Sequence, residues 1–574
     1  MEKNLAEKRI QNWLTGPYDK ETKDQIIKMQ KENPDELLEN FSKNLSFGTG
    51  GIREKMGIGT NRLNKYTICT ATQALCNYIN GKQEKKPSII IGYDNRKNSS
   101  FFAKEAAKVI AANNIKVFIF DEIRPTPLIS FGCRYKNCTA AIMITASHNP
   151  KEYNGFKVYW KDGGQVLPPH DQKIIEEYNK ISSFEDVKII SSFSHPLINI
   201  IKDEIDKAYF EKLFSLEIFS SKVENPEIKI VYSNLHGAGI TILPKCFERY
   251  GFNHLYIVEE QKELDPNFTN AAKPNPEEKI ALELGIKYLK EKKADIFLSN
   301  DPDADRMGVV VNHKNQIHIL SGNQIACIIL DYLCSLIKTD KKSYAVKTIV
   351  TTEMFKKICD YHHISCFDVL TGFKYIAQKI GELEKEKYKF LFGAEESLGY
   401  LIEDFVRDKD GISAPLLIAK IANAAKKENK TLVDLLNNLY KKHGVYREKL
   451  SSFSFEKLPD SMGKMKTVMK NLRLNPLKMI GNLKVDRIDD YLSQESLELL
   501  INSRTNLTLP KSDVLRFWLS DNSNIVIRPS GTEPKMKVYV GNHLLNIKDL
   551  EEDIKRCDAS LDAIIDAVRL QINI

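Results

Sequence analysis

No run of apolar residues in this chain of 574 approaches the length of a membrane span, which argues against a helical membrane protein. The opening stretch MEKNLAEKRIQNW mixes charges through every short window and lacks an apolar segment, so a secretory signal is not expected. Ten cysteines, among them Cys69, Cys76, Cys133, Cys138, Cys327 and Cys366, show no paired CxxC spacing and mostly lie in apolar segments. They read as reduced core residues, which argues against a zinc or disulfide framework and for a cytoplasmic setting. Charge of one sign is also scarce: 84 basic against 76 acidic residues leave +8, too little at this length to point to nucleic acid and as compatible with a small anionic substrate. The glycine-rich segment FGTGGIREKMG has neither the lysine and spacing of a P-loop nor a GxGxxG pattern.

What the chain does have is apolar surface to bury, with 42% hydrophobic and 28% charged residues, and a length that calls for several domains. Three regions repeat an order of strands and helices, and each delivers a polar loop after a late strand. The first runs from SIIIGYD (Ser88 to Asp94) through a helical segment at Ser99 to Asn114 and KVFIFD to AAIMITAS (Ala140 to Ser147), a pattern suited to a largely parallel sheet. The second holds IKIVYSNLHG, a helix near Thr241 to Tyr250, HLYIVEE and ADIFLSND, with Asp301 at a strand's end; the third holds YAVKTIVTTEM, CFDVLTGFKYI and KFLFGAEES. Ligands of open α/β sheets bind outside the carboxyl ends of strands, so these loops are where a shared site is expected. Beyond a polar stretch at Lys441 to Asp460, the alternation in VLRFWLSDNSNIVIRPSGTEPKMKVYVG predicts antiparallel hairpins with flanking helices, an α+β domain.

Several motifs carry chemistry. In ITASHNPKEYN a strand buried on both faces gives way to Ser147, His148, Asn149 and Pro150, which makes Ser147 a candidate nucleophile. In NDPDADRMG, Asp301, Asp303 and Asp305 alternate, so a tight loop can aim three carboxylates at one hard cation such as Mg²⁺. An EF-hand is excluded by Arg306 at the sixth position, Asn312 at the twelfth and the preceding strand. Arg306 is placed to contact a phosphoryl group, and Arg53 is the informative member of the glycine-rich segment with Gly48, Gly50 and Gly51. RPSGTEPK brings Arg528, Ser530, Gly531 and Thr532 together: a guanidinium, two hydroxyls and an approachable backbone, as a phosphate-binding loop needs. Glu395, Glu396 and Ser397 in GAEESLGY suit sugar hydroxyls. Arg407, Lys409 and Asp410 in RDKDG form a charge run that by itself reads as a solvated face, and His236, His362 and His363 are not proposed as ligands.

The ordered succession of GTGGIRE, TASHNP, DPDADR, TGFKYI, GAEES, RDKDG and RPSGTEPK, from about Phe47 to Val540, resembles the α-D-phosphohexomutases, particularly the phosphoglucomutase and phosphopentomutase branch. The resemblance implies an α/β architecture of four domains around a central cleft, three of them similar mixed α/β domains (1–205, 206–320 and 321–445) and the last α+β (446–574). It implies that Ser147 carries a phosphoryl group, that Asp301, Asp303 and Asp305 bind Mg²⁺ with that group, and that Lys157 with His148 assists proton transfer or binds the bridging oxygen, beside Arg53 and Arg306. Lys374, Glu395, Ser397, Arg407 and Lys409 become expected substrate contacts, and Arg528, Ser530, Gly531, Thr532 and Lys537 an expected phosphate site. The histidine that some members carry shortly after the acidic sugar loop is absent, since Leu398, Gly399 and Tyr400 follow Ser397. The leading expectation is a monomeric isomerase that interconverts glucose 1-phosphate and glucose 6-phosphate through glucose 1,6-bisphosphate, with a small-molecule sugar phosphate and neither nucleic acid nor membrane as partner. Phosphopentomutase and phosphomannomutase activities are the alternatives within the class. A metal-dependent sugar-phosphate phosphatase is the alternative outside it, disfavoured by the separate RPSGTEPK clamp.

Overall fold

The computed structural model describes residues 2–45, 51–455, 460–530 and 534–572. Contacts gather the chain into two bodies. One comprises residues 1–320, 380–382 and 397–427; the other comprises 321–379, 383–396 and 428–574.

In the first body, a mixed sheet is ordered Gly51–Lys55, Tyr153–Trp160, Ala140–Ile144, Ser88–Tyr93, Lys116–Phe120 and Ile198–Ile201. The last four are mutually parallel, and Tyr153–Trp160 pairs antiparallel to its neighbours on both sides. The central strands are buried along their whole length, the consequence of helices Lys65–Gly81, Ser99–Ala112 and Thr126–Tyr135 packing around them. A second sheet is ordered Gln316–Leu320, Gly308–His313, Ile296–Ser299, Ile230–Ser233 and Leu255–Ile257, its last three strands parallel. The helix expected near Thr241 to Tyr250 divides into a 3-10 turn at Ala238–Thr241 and an α-helix at Leu243–Tyr250, with a proline in the latter's first turn. Helices Glu2–Thr15, Lys20–Glu32 and Pro34–Asn40 close around Trp13, Phe41 and Tyr66. The charge-rich opening stretch thus packs as amphipathic helices.

In the second body, parallel strands Ser365–Val369, Ser343–Thr348 and Lys389–Glu395 lie side by side in that order. The C-terminal sheet is antiparallel throughout, from Val445–Ser454 and Lys535–Leu544 to Asn524–Pro529, Leu515–Leu519 and Leu483–Asp490, with helix Leu550–Gln571 against it. The alternation seen in the sequence is the cause: Leu515, Phe517 and Leu519 face the same core as Ile525, Ile527, Val538 and Val540. All ten cysteines are free and nine are buried. No helix among the described residues is long and apolar enough to cross a membrane.

An ion-pair cluster around two buried cations ties the two sheets of this second body. Lys347 lies 2.9 Å from Glu353 and 3.1 Å from Asp368, while Arg516 reaches the same carboxylates at 2.8 and 3.6 Å and stacks over Trp518. Two cations and two anions balance. Burial pushes the Glu353 carboxyl up, but Lys347 and Arg516 outweigh it and take its pKa from 4.5 to about 2. A depressed carboxyl binds fewer protons folded than unfolded, so its contribution is complete above 4.5 and is lost as pH falls toward 2. Glu353→Gln should therefore cost roughly 3 to 5 kcal/mol at neutral pH, since it strands two buried cations on one carboxylate. Denaturant unfolding of both proteins measures this: the difference should shrink between pH 4.5 and 2, and a difference independent of pH would remove Glu353 from the linkage.

Candidate active site

The strand Ala140–Ile144 carries Ser147 to the edge of the first sheet. The apolar run continues to Ala146 in the sequence, yet the regular strand stops at Ile144. The Thr145 hydroxyl accepts from the Ser147 N–H at 2.8 Å and donates to Asp94 at 2.6 Å, which turns the chain out of the ladder. Ser147 takes the left-handed conformation, φ 53°, uncommon for a residue with a Cβ and held only where surrounding contacts dictate it. Its Oγ donates to Asp301 Oδ2 at 2.7 Å and lies 3.2 Å from His148 Nδ1.

Asp301 begins the loop after strand Ile296–Ser299, and all three alternating aspartates are buried, with carboxylate oxygens within 4.8 Å of one another. Ala304, at φ 50°, reverses the chain between the second and third. Asp303 Oδ2 accepts from Lys157 Nζ at 2.6 Å and from the Thr126 hydroxyl at 2.9 Å; Asp305 Oδ2 accepts from Lys157 at 3.3 Å and pairs with Lys409 at 3.1 Å. Asp301 Oδ1 accepts from the backbone N–H groups of Asp305 and Arg306. Asp303 Oδ1 and Asp305 Oδ1 are left buried with no hydrogen-bond partner. Two such orphaned acceptors are costly unless something occupies them, and carboxylate oxygens of this kind are what a hard divalent cation takes as ligands.

The electrostatics agree. Burial and the neighbouring Asp305 and Asp303 charges push the Asp301 carboxyl well above the usual range. Burial acts the same way on Asp303, but Lys157 outweighs it and holds that carboxyl low. Burial disfavours a charged Lys157, yet Asp303 and Asp305 raise its pKa, so the ammonium keeps its proton. His148 is driven well below its ordinary value by burial and by Arg306, Arg53, Arg96 and Lys157, which leaves a neutral imidazole beside the Ser147 hydroxyl.

The structure thus brings together Ser147, His148, Lys157, Asp301, Asp303, Asp305 and Lys409, with Arg53 and Arg306 near enough to shape the His148 charge state. Arg53 lies on the exposed side of strand Gly51–Lys55, paired with Gly155, where the backbone oxygens of Thr145 and Ile52 stand 2.4 and 2.6 Å from any Cβ and only glycine fits. Arg306 bridges to Gly399, and Leu398 accepts from the Met307 N–H, which sets Ser397 beside the aspartate loop. The RDKDG run is buried: Asp408 holds Lys409, Tyr159 and Gln165, Asp410 accepts from Tyr209, and Arg407 turns to the Asp404 carbonyl. The charge run is thus a packed loop that feeds a second lysine to Asp305. Thr126, Thr145 and Asp94 complete the site, and local pattern marks only Asp94, at the carboxyl end of a strand that is buried along its whole length.

The remaining expected residues lie in the second body. Lys374 is the second residue of helix Phe373–Glu384 and is buried, and Gly372, at the helix start, donates its N–H to Glu395 at 3.0 Å. Arg528 and Lys537 are directly opposed across adjacent antiparallel strands, and the Ser530 N–H closes the hairpin on the Lys535 carbonyl. Gly48, Gly50, Gly531 and Thr532 lie outside the described residues.

Residues 44–185, 207–314 and 321–443 match the family descriptions of phosphoglucomutase/phosphomannomutase α/β/α domains I, II and III. A phosphoglucomutase of Staphylococcus haemolyticus is 36% identical over 518 residues, 90% of this chain and 93% of its own, and one of Staphylococcus aureus is 36% identical over 92% and 96%. Among solved structures, Paramecium parafusin, a phosphoglucomutase, aligns with a TM-score of 0.68 at 18% identity, covering 92% of this chain and 96% of its own. A phosphoglucomutase/phosphomannomutase family protein of Burkholderia thailandensis gives 0.65 at 17%, covering 90% and 97%. At these identities the structural matches speak for the fold.

Calorimetric titration with a divalent cation tests the aspartate loop. Asp303→Asn should weaken binding by at least the roughly 10- to 100-fold that loss of an outer-shell partner costs. Unchanged affinity would put the cation elsewhere.

Proposed function

The chain belongs to the phosphoglucomutase/phosphomannomutase family, and from that membership we propose that it interconverts glucose 1-phosphate and glucose 6-phosphate through a phosphoserine at Ser147 and a glucose 1,6-bisphosphate intermediate. The observation that carries the reading is the Ser147 hydroxyl, 2.7 Å from Asp301 on a loop with two buried, unpartnered carboxylate oxygens. Asp301, Asp303 and Asp305 are the residues that would hold Mg²⁺ with a phosphoryl oxygen on Ser147, and the ion would supply neutralisation of the charge on the transferring group.

The protein's own groups divide the remaining work. The 6-hydroxyl of glucose 1-phosphate attacks the phosphorus on Ser147; the bond from phosphorus to Oγ breaks as the bond to the sugar oxygen forms, and the proton lost by the sugar hydroxyl is balanced by the one that Oγ gains as it leaves. His148, whose neutral ring stands 3.2 Å from Oγ, is suited to relay a proton at the serine oxygen. Lys157 keeps its proton and serves as a fixed positive charge, joined by Arg53 and Arg306. The bisphosphate then turns, its C1 phosphate passes to Ser147 Oγ, and glucose 6-phosphate leaves.

A mutase must also hold the second phosphate. Arg528 opposite Lys537 supports this role: like charges directly across a ladder repel unless an anion sits between them. Ser530, Gly531 and Thr532 extend the same loop, and Lys374, Glu395, Ser397, Arg407 and Lys409 are the proposed sugar and phosphate contacts. The same reading divides the chain at 1–205, 206–320, 321–445 and 446–574 and takes the enzyme as a cytoplasmic monomer, in keeping with ten free thiols.

Incubation with glucose 1-phosphate, Mg²⁺ and a trace of glucose 1,6-bisphosphate tests the proposal. The wild type should form glucose 6-phosphate faster than it converts mannose or ribose 1-phosphate, and folded Ser147→Ala should form none. Free phosphate as the main product would make the protein a hydrolase, and turnover by Ser147→Ala would remove the serine from the mechanism.

A further inference from the structure

Ser147 is held by more than its own strand. The Arg96 guanidinium, 3% exposed, donates Nη1 to the carbonyls of Pro150 (2.9 Å) and Tyr153 (3.0 Å) and Nη2 to those of Ser147 and Asn149 (both 2.5 Å). One side chain thus gathers four carbonyls of the loop that follows the serine. Its Nε faces Asp94 Oδ2 at 3.4 Å, and its plane lies over the buried Phe268 ring. Asp94 is equally buried; it accepts from the Arg96 N–H, the Ser99 hydroxyl and the Thr145 hydroxyl. Thr145 in turn accepts from the Ser147 N–H. The two backbone groups of Ser147 therefore end on one ion pair: the N–H through Thr145 to Asp94, the C=O directly on Arg96.

That arrangement is more than a loop staple. Ser147 is left-handed, a state that costs free energy and relaxes when its anchors are lost. Its Oγ direction toward Asp301 follows from that backbone setting, so a small rotation of the 147 peptide moves the oxygen off the aspartate loop while the sheet beneath stays intact. We infer that the Asp94–Arg96 pair is the positioning device for phosphoryl carriage at Ser147: it fixes the serine peptide from both sides and so aims Oγ at the cation-binding carboxylates. Arginine is required because a fork of donors in one plane reaches four carbonyls, whereas a lysine ammonium offers three donors from a single point. The inference rests on the reading of Ser147 as the phosphoryl carrier.

Two variants test it, each assayed beside wild type and Ser147→Ala with glucose 1-phosphate, Mg²⁺ and glucose 1,6-bisphosphate. Arg96→Lys retains the charge and Thr145→Val retains shape while cutting the link from Ser147 N–H to Asp94. For each folded variant, kcat should fall about 100-fold while KM moves less than about threefold, because aim is lost and sugar-phosphate binding is not. Folded Arg96→Lys with wild-type kcat, or with a rise in KM alone, overturns the inference. If Arg96→Lys does not fold, Thr145→Val decides: a selective loss of kcat upholds the pair's role and wild-type kcat overturns it. Turnover by Ser147→Ala marks failure of the carrier reading instead, whereas an inactive Ser147→Ala beside a normal Arg96→Lys marks failure of this inference alone.

Discussion

Three carboxylates cannot stay charged side by side in a protein interior without compensation, and the first body is arranged around that constraint. Lys157, from a strand of the first sheet, reaches both Asp303 and Asp305, and Lys409, from a loop more than a hundred residues further along the chain, reaches Asp305. Thr126 shares Asp303 Oδ2 with Lys157, the loop backbone and Ser147 occupy the two oxygens of Asp301, and still two remain without a partner. Those two oxygens are of the kind that a metal ion takes as ligands. A carboxyl pushed well above its usual range at Asp301 and a protonated Lys157 are consequences of burial and of that crowding, whereas burial and the cations around it keep His148 neutral.

The serine loop answers to a second buried pair. Asp94 and Arg96 lie at the end of the adjacent strand and hold the Ser147 peptide in a conformation it would not adopt alone. The two arrangements meet at one hydrogen bond, Ser147 Oγ to Asp301. Precision at that bond is what phosphoryl transfer needs, since alignment and charge stabilisation are most of its catalysis. The sequence order explains how this is possible: both polar loops leave the carboxyl ends of strands whose own residues are fully buried and so rigidly placed.

The serine and the aspartates were legible because local pattern carries them: an apolar strand that stops in polar residues, and acids at alternate positions. The repeating strand and helix order and the antiparallel character of the C-terminal sheet were legible for the same reason. Arg96 was not, because YDNRKNSS reads as an ordinary polar turn and its four acceptors come from residues more than fifty positions away. RDKDG misled in the opposite sense, since a run of charges reads as solvated while its burial depends on partners such as Tyr209 and Tyr159 that periodicity does not reveal. The helices at residues 2–40 were hidden by dense surface charge around a small aromatic core.

The central claim is that Ser147 carries the phosphoryl group. Incubating the protein with glucose 1,6-bisphosphate labelled with radioactive phosphorus, followed by proteolysis and peptide mass spectrometry, locates the group directly. Label should appear on Ser147 and be chased into sugar phosphate by unlabelled glucose 1-phosphate. Label on His148 or any other residue, or label on Ser147 that does not chase, would contradict the claim.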